Sequence, residues 1–173
     1  MKHTIFLLAA AIAFSAPAAL TIDPVAYAAA VSDSNFVTTA GVSGTFEIES
    51  SRLAVAKSQD TRIKAFAQRM ISDHTQIAND LESTVKASGE KTPLPADLDA
   101  KHKQMIDQLT KANGVDFNRL YVKMQVQGHK EAVDLFSTFA KSGRNAMLKS
   151  FAQKTLPMIE DHYKQIKSIS GQV

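Results

Sequence analysis

Cysteine is absent from this 173-residue chain. Its absence excludes disulfides, thiolate-bound metals and a cysteine nucleophile, and leaves no thiol to misoxidise in an oxidising compartment. Tryptophan is also missing, and there are only five prolines. No stretch alternates apolar and polar residues with the period of a strand, so an almost wholly helical chain is expected. There is no basic block and no basic-aromatic stripe. The net charge is +3 and the pI about 9.1, yet lysines alternate with Asp and Glu at helical spacing, as on a solvated face. No nucleic-acid partner is expected. Gly-x-Ser-x-Gly, a phosphate-binding glycine loop and a dinucleotide fingerprint are all missing. Nothing therefore supports nucleophilic catalysis, and no catalytic residue is assigned.

Long apolar runs are scarce, and the main one lies at the start. Lys2 and His3 precede an apolar stretch from Ile5 to Phe14, and Ala26-Tyr27-Ala28 is a small-x-small cleavage signal. Ala18 and Ala30 mark alternative cuts. The pattern is that of a secretory signal over residues 1–28. The run is short for a membrane span and Pro17 breaks it. No cysteine follows to take a lipid. The mature protein is expected in the periplasm or secreted, with no transmembrane span after cleavage.

Apolar residues make up 45% of the chain, enough for one core, and the domain is expected over residues 33–169. A first helix is predicted from an N-cap at Asp33 or Ser34 to Lys57, interrupted in propensity by Gly41, Ser43 and Gly44. Those small residues let a neighbour come close or weaken the helix. Asp60 caps a second helix, to about Ala87, with Ile63, Ala67, Met70, His74, Ile77 and Leu81 recurring at three and four. Pro93 and Pro95 break the chain between Ser88 and Ala96. A short helix from about Asp97 to Ala112 follows, then a long one from Asp116 to Lys141. Its inner face is drawn through Phe117, Leu120, Tyr121, Met124, Gly128, Glu131, Leu135 and Phe139, with His129 to one side. The last helix runs from Asn145 to Ile169, with Leu148, Ala152, Ile159, His162 and Ile166 inward and Pro157 inside it.

The chain repeats itself. Ala56-Lys57-Ser58 and Ile63-Lys64-Ala65-Phe66-Ala67-Gln68 align with Ala140-Lys141-Ser142 and Leu148-Lys149-Ser150-Phe151-Ala152-Gln153, with one extra residue in the second turn. Each copy leaves one helix through a tight turn and enters the next. Two such hairpins joined by a long crossover carrying a short extra helix make an all-α, ferritin-like four-helix bundle.

The repeat also pairs polar residues. Glu47 precedes Lys57 by ten, as Glu131 precedes Lys141. His74 follows Phe66 by eight and His162 follows Phe151 by eleven. The difference is nearly one turn, so both histidines point within about 60° of the same side. Glu47, His74, Glu131 and His162 are therefore candidate ligands for one transition-metal ion, Fe, Cu, Zn or Mn. Ile71 and Ile159 stand where a di-iron bundle carries the glutamates of its Glu-x-x-His pairs, which argues against a full di-iron centre. Met70 and Met158 lie four residues before His74 and His162; with His129 they are second-tier ligands, thioethers suiting copper. Asp73 either orients a neighbour or faces solvent, and solvent is the favoured reading. The competing reading is a non-catalytic envelope module, its buried His and Glu bonded into a layer that fixes register and an outer face left for a protein partner.

The segments Phe36-Val37 to Ala40, Lys64-Ala65-Phe66-Ala67-Gln68-Arg69-Met70-Ile71-Ser72-Asp73-His74-Thr75, Leu94-Pro95 to His102 and Leu148 to Pro157 resemble, in order, those of a family of exported bacterial proteins, domain of unknown function 4142. The resemblance covers about residues 33 to 169. It implies a ferritin-like fold and no established reaction. The outer-membrane label its members often carry does not suit a helical chain, because outer-membrane spans are β-barrels.

Overall fold

The computed structural model describes residues 31–172, so the signal-like segment lies outside the described residues. Among the described residues five helices follow one another: α1 Asp33–Lys57, α2 Thr61–Ser88, α3 Ala100–Lys111, α4 Gly114–Ser142 and α5 Ala146–Ser170. Among the described residues there is no strand, and no described helix is long and apolar enough to cross a membrane.

Side-chain caps set most of the starts. Asp60 Oδ1 accepts from Arg62 N and Ile63 N, and Asn145 Oδ1 accepts from Met147 N and Leu148 N, satisfying amides that have no partner within the helix. Ser32, one residue earlier than expected, caps α1 through Asn35 N. The short helix begins at Ala100 because Asp99 takes His102 N. Asp97, the expected start, instead pairs with Lys103. Gly89 ends α2 at φ 74°, a conformation that a Cβ disfavours.

Contacts at the ends fix the topology. Lys57 Nζ, at the close of α1, donates to Leu109 O at 3.1 Å and lies 5.4 Å from the Phe117 ring centre near the start of α4. At the same end Arg62 meets Gln172. At the other end Asn145 N donates to Asp33 Oδ1 and Asn145 Nδ2 to Ser88 O. Thus α2 and α4 run parallel, which only a full-length crossover allows. The packing partners α1/α2, α2/α5, α5/α4 and α4/α1 are all antiparallel, as in a ferritin-like bundle. The crossover lies against α1 at Gly41: a β-carbon there would sit 2.8 Å from Pro95 Cδ. The small residue thus admits the crossover loop rather than a neighbouring helix.

The core is in two parts. One cluster holds Phe46, Ile63, Phe66, Met70, Phe117, Tyr121 and Ile166. The other holds Phe36, Ile77, Leu81, Phe136, Phe139, Phe151 and Ile159, with Phe36 stacked on Phe139 at 3.9 Å. Along α2, α4 and α5 a single histidine separates the residues of one cluster from those of the other. The buried face of α1 carries Gly44, Glu47, Ser50 and Ser51, which is why its sequence shows little amphipathic contrast.

Candidate metal centre

Three of the chain's five histidines meet in the seam between the two cores. His74 comes from α2, His129 from α4 and His162 from α5, and each is 5% exposed or less. Their ring centres form a near-equilateral triangle with sides of 5.7, 5.5 and 5.6 Å. Each ring offers a nitrogen lying within 4.8 Å of the other two. Three points so spaced lie within about 2.8 Å of one centre, against roughly 2.0–2.1 Å for a zinc–imidazole bond, so side-chain adjustments of under about an ångström close the site.

Two of the three rings are already held through one nitrogen. His162 Nε2 donates to Asp73 Oδ2 at 2.8 Å, and Asp73 is in turn gripped by Arg69 Nε at 3.0 Å, while Arg69 also reaches Asp161 at 2.8 Å. His129 Nδ1 donates to the Gln125 carbonyl at 2.9 Å. A carboxylate and a carbonyl only accept, so these bonds place the ring protons on the bonded nitrogens and leave lone pairs on His162 Nδ1 and His129 Nε2. Both of those nitrogens are buried without a hydrogen-bond partner, as are both nitrogens of His74.

Burial keeps the imidazoles neutral. It drives His74 well below the ordinary histidine value, with the neighbouring histidines adding to the effect. It takes His129 down to about 4 despite the Gln125 carbonyl. His162 is also lowered by burial, against the opposing pull of Asp73. Neutral imidazole is the form that binds metals. Glu47 on α1 faces the same layer. Its Oε1 lies 3.7 Å from His129 Nδ1, its Oε2 is buried without a partner, and burial raises its carboxyl to about 8, with the Gln125 amide pulling the other way.

Of the expected ligands, the structure brings together His74, His162 and the second-tier His129, with Glu47 beside them. Glu131 does not join. It lies on the outer surface, paired with Lys101 and Gln127. The repeat was matched on Lys57 and Lys141, but α4 continues one residue further: the C-caps are Ser58 and Gly143. Counted from the caps, Glu47 corresponds to Ala132, and one residue is about 100° of rotation. Met158 is 38% exposed, beside rather than on the Thr155-Ile159-His162 face. Met70 is fully buried as part of the apolar core. Of the two readings of Asp73, the less favoured one fits: it bonds to His162 and orients that ring. The signal that marks His129 is the buried series Tyr121, Gln125, His129, Phe136 and Ala140, obscured because Gln125 resembles an outer-face residue. His102 stays apart, bonded to Asp99 at 2.7 Å.

A family model described as "Domain of unknown function (DUF4142)" matches residues 20–169. No curated protein matches. Among solved structures, "CopM in the Cu(II)-bound form" is similar with a TM-score of 0.67 at 19% identity, over 81% of this chain and 96% of that one. A DUF305 fragment from Deinococcus radiodurans is similar with a TM-score of 0.68 at 12% identity, over 81% of this chain and 95% of that one. At these identities the likeness is one of fold.

Proposed function

This chain belongs to the DUF4142 family, and from that premise we propose that it is an exported envelope protein that handles a transition metal, holding one ion between His74, His129 and His162. The observation that carries this reading is the set of four buried, unpartnered ring nitrogens at the layer where three helices meet. A layer serving only to fix register would pair those atoms with one another, because an unsatisfied buried polar atom costs about 1–3 kcal/mol. Here His162 and His129 bond to Asp73 and the Gln125 carbonyl instead of to one another, which leaves a lone pair free on the other nitrogen of each. Bonds of this kind orient metal-binding histidines.

Imidazole suits copper, zinc and iron. A protein of the same fold is described in a Cu(II)-bound form, which makes copper the first ion to try. The role is binding, delivery or buffering of the ion. Export rests on the signal-like residues 1–28. Thermal unfolding with and without each ion tests the reading: an ion that binds only the folded state raises the midpoint by mass action. The wild-type midpoint is expected to rise with copper or zinc, and that of the His74→Ala/His162→Ala variant to stay where it is. No shift with Cu, Zn, Fe or Mn in the wild type would refute the reading.

A further inference from the structure

Beside the three histidines lies a cavity of about 20 Å³, lined by Gly44, Glu47, His74, Gly128 and His129 among others, and not by His162. It opens the layer towards α1, the one long helix that supplies no histidine. We propose that this cavity is a built site for a single water molecule, held between Glu47 and the metal as its one non-protein ligand. The inference rests on the metal reading above.

Volume and chemistry agree. About 10–15 Å³ on this measure admits one water, which then needs two to four polar partners. With His129 Nε2 and a His74 nitrogen bound to the ion, the water's partners are the ion itself and Glu47 Oε2, a buried atom with no partner of its own. Glu47 is not among the residues whose ligand atoms lie within 4.8 Å of one another, though its Oε1 is 3.7 Å from His129 Nδ1; a bridging water would couple its carboxylate to the ion without making it a fourth protein ligand. The room is made by glycine. A β-carbon at position 128 would sit 2.9 Å from Glu47 Oε1, so the carboxylate that lines the cavity would have to move. A β-carbon at position 44 would meet no atom within 4 Å and would simply occupy space. Three histidines with one water-sized opening exclude any larger ligand from the ion.

Electron spin-echo spectroscopy of the Cu(II)-loaded protein in D₂O tests this. The wild type is expected to show imidazole nitrogen couplings together with the deuterium signal of a directly bound water. Gly128→Ala and Gly44→Ala are expected to keep the nitrogen couplings and lose most of the deuterium signal. The second variant guards against a folding failure in the first, since its methyl group collides with nothing. Nitrogen couplings without bound deuterium in the wild type, or a deuterium signal unchanged in both folded variants, would overturn the water site while leaving the metal site standing. Absence of nitrogen couplings in the wild type would overturn the metal reading and the water site together.

Discussion

His162 and Asp73, on different helices, are joined across the α2–α5 seam by a 2.8 Å hydrogen bond from Nε2 to Oδ2. The bond sets which nitrogen of His162 faces the bundle centre, and Arg69 holds the carboxylate from the outside. Loss of such an orienting partner typically lowers metal affinity about 10- to 100-fold. Asp73→Ala should lower copper affinity by that order while the circular dichroism of the bundle stays helical, which competition against a chelator of known affinity measures.

The metal-free protein should be most stable near pH 6.5. The three histidines have folded-state values below the ordinary 6.5. Their contribution is therefore complete above pH 6.5 and is lost as pH falls through the depressed values. Glu47 is raised from 4.5 to about 8. Its contribution is complete below pH 4.5 and is lost as pH rises through 8. Between 4.5 and 6.5 the three histidines outweigh the single carboxyl. Above 6.5 Glu47 acts alone, at about 1.4 kcal/mol per pH unit, or on the order of 2 kcal/mol by pH 8. Urea unfolding across pH checks this, and Glu47→Gln should flatten the limb between pH 6.5 and 8.

His74 has no hydrogen-bond partner on either nitrogen, so the metal-free fold carries the full desolvation of that ring. His74→Leu should stabilise the metal-free protein by about 1–2 kcal/mol and abolish its stabilisation by metal. Denaturant melts with and without the ion separate the two effects.

Two glycines of α1 should behave oppositely. Gly44→Ala meets no atom within 4 Å and should stabilise the metal-free protein by roughly 0.5–1 kcal/mol through helix propensity. Gly41→Ala meets Pro95 Cδ at 2.8 Å and should destabilise it. Paired thermal melts decide, and faster proteolysis in the crossover of the Gly41 variant would locate the damage.

Much of this layout was legible in the sequence. Asp60 and Asn145 are strong caps, Pro93 and Pro95 force a crossover, and the repeat implies two hairpins. His74 and His162 stood inside apolar stripes, so their burial followed from spacing. Glu131 was misplaced because a repeat read from residue identities does not reveal where a helix stops, and one extra residue in α4 turns its face by about 100°. Met158 was placed by its spacing of four from His162, yet it lies on the exposed flank beside the inward Ile159. His129 was relegated because a buried polar neighbour, Gln125, disguised the true stripe. An orienting role for Asp73 was open from its place beside His74, but its partner was not, since His162 lies on another helix 89 residues away.

The most direct test is the copper and zinc stoichiometry of the purified mature protein after equilibrium dialysis, beside His129→Ala and Glu131→Ala. The account predicts one ion per chain in the wild type and in Glu131→Ala, because that carboxylate lies on the surface, and none in His129→Ala. An ion that stays bound in His129→Ala, or is lost in Glu131→Ala, would contradict a site made by His74, His129 and His162.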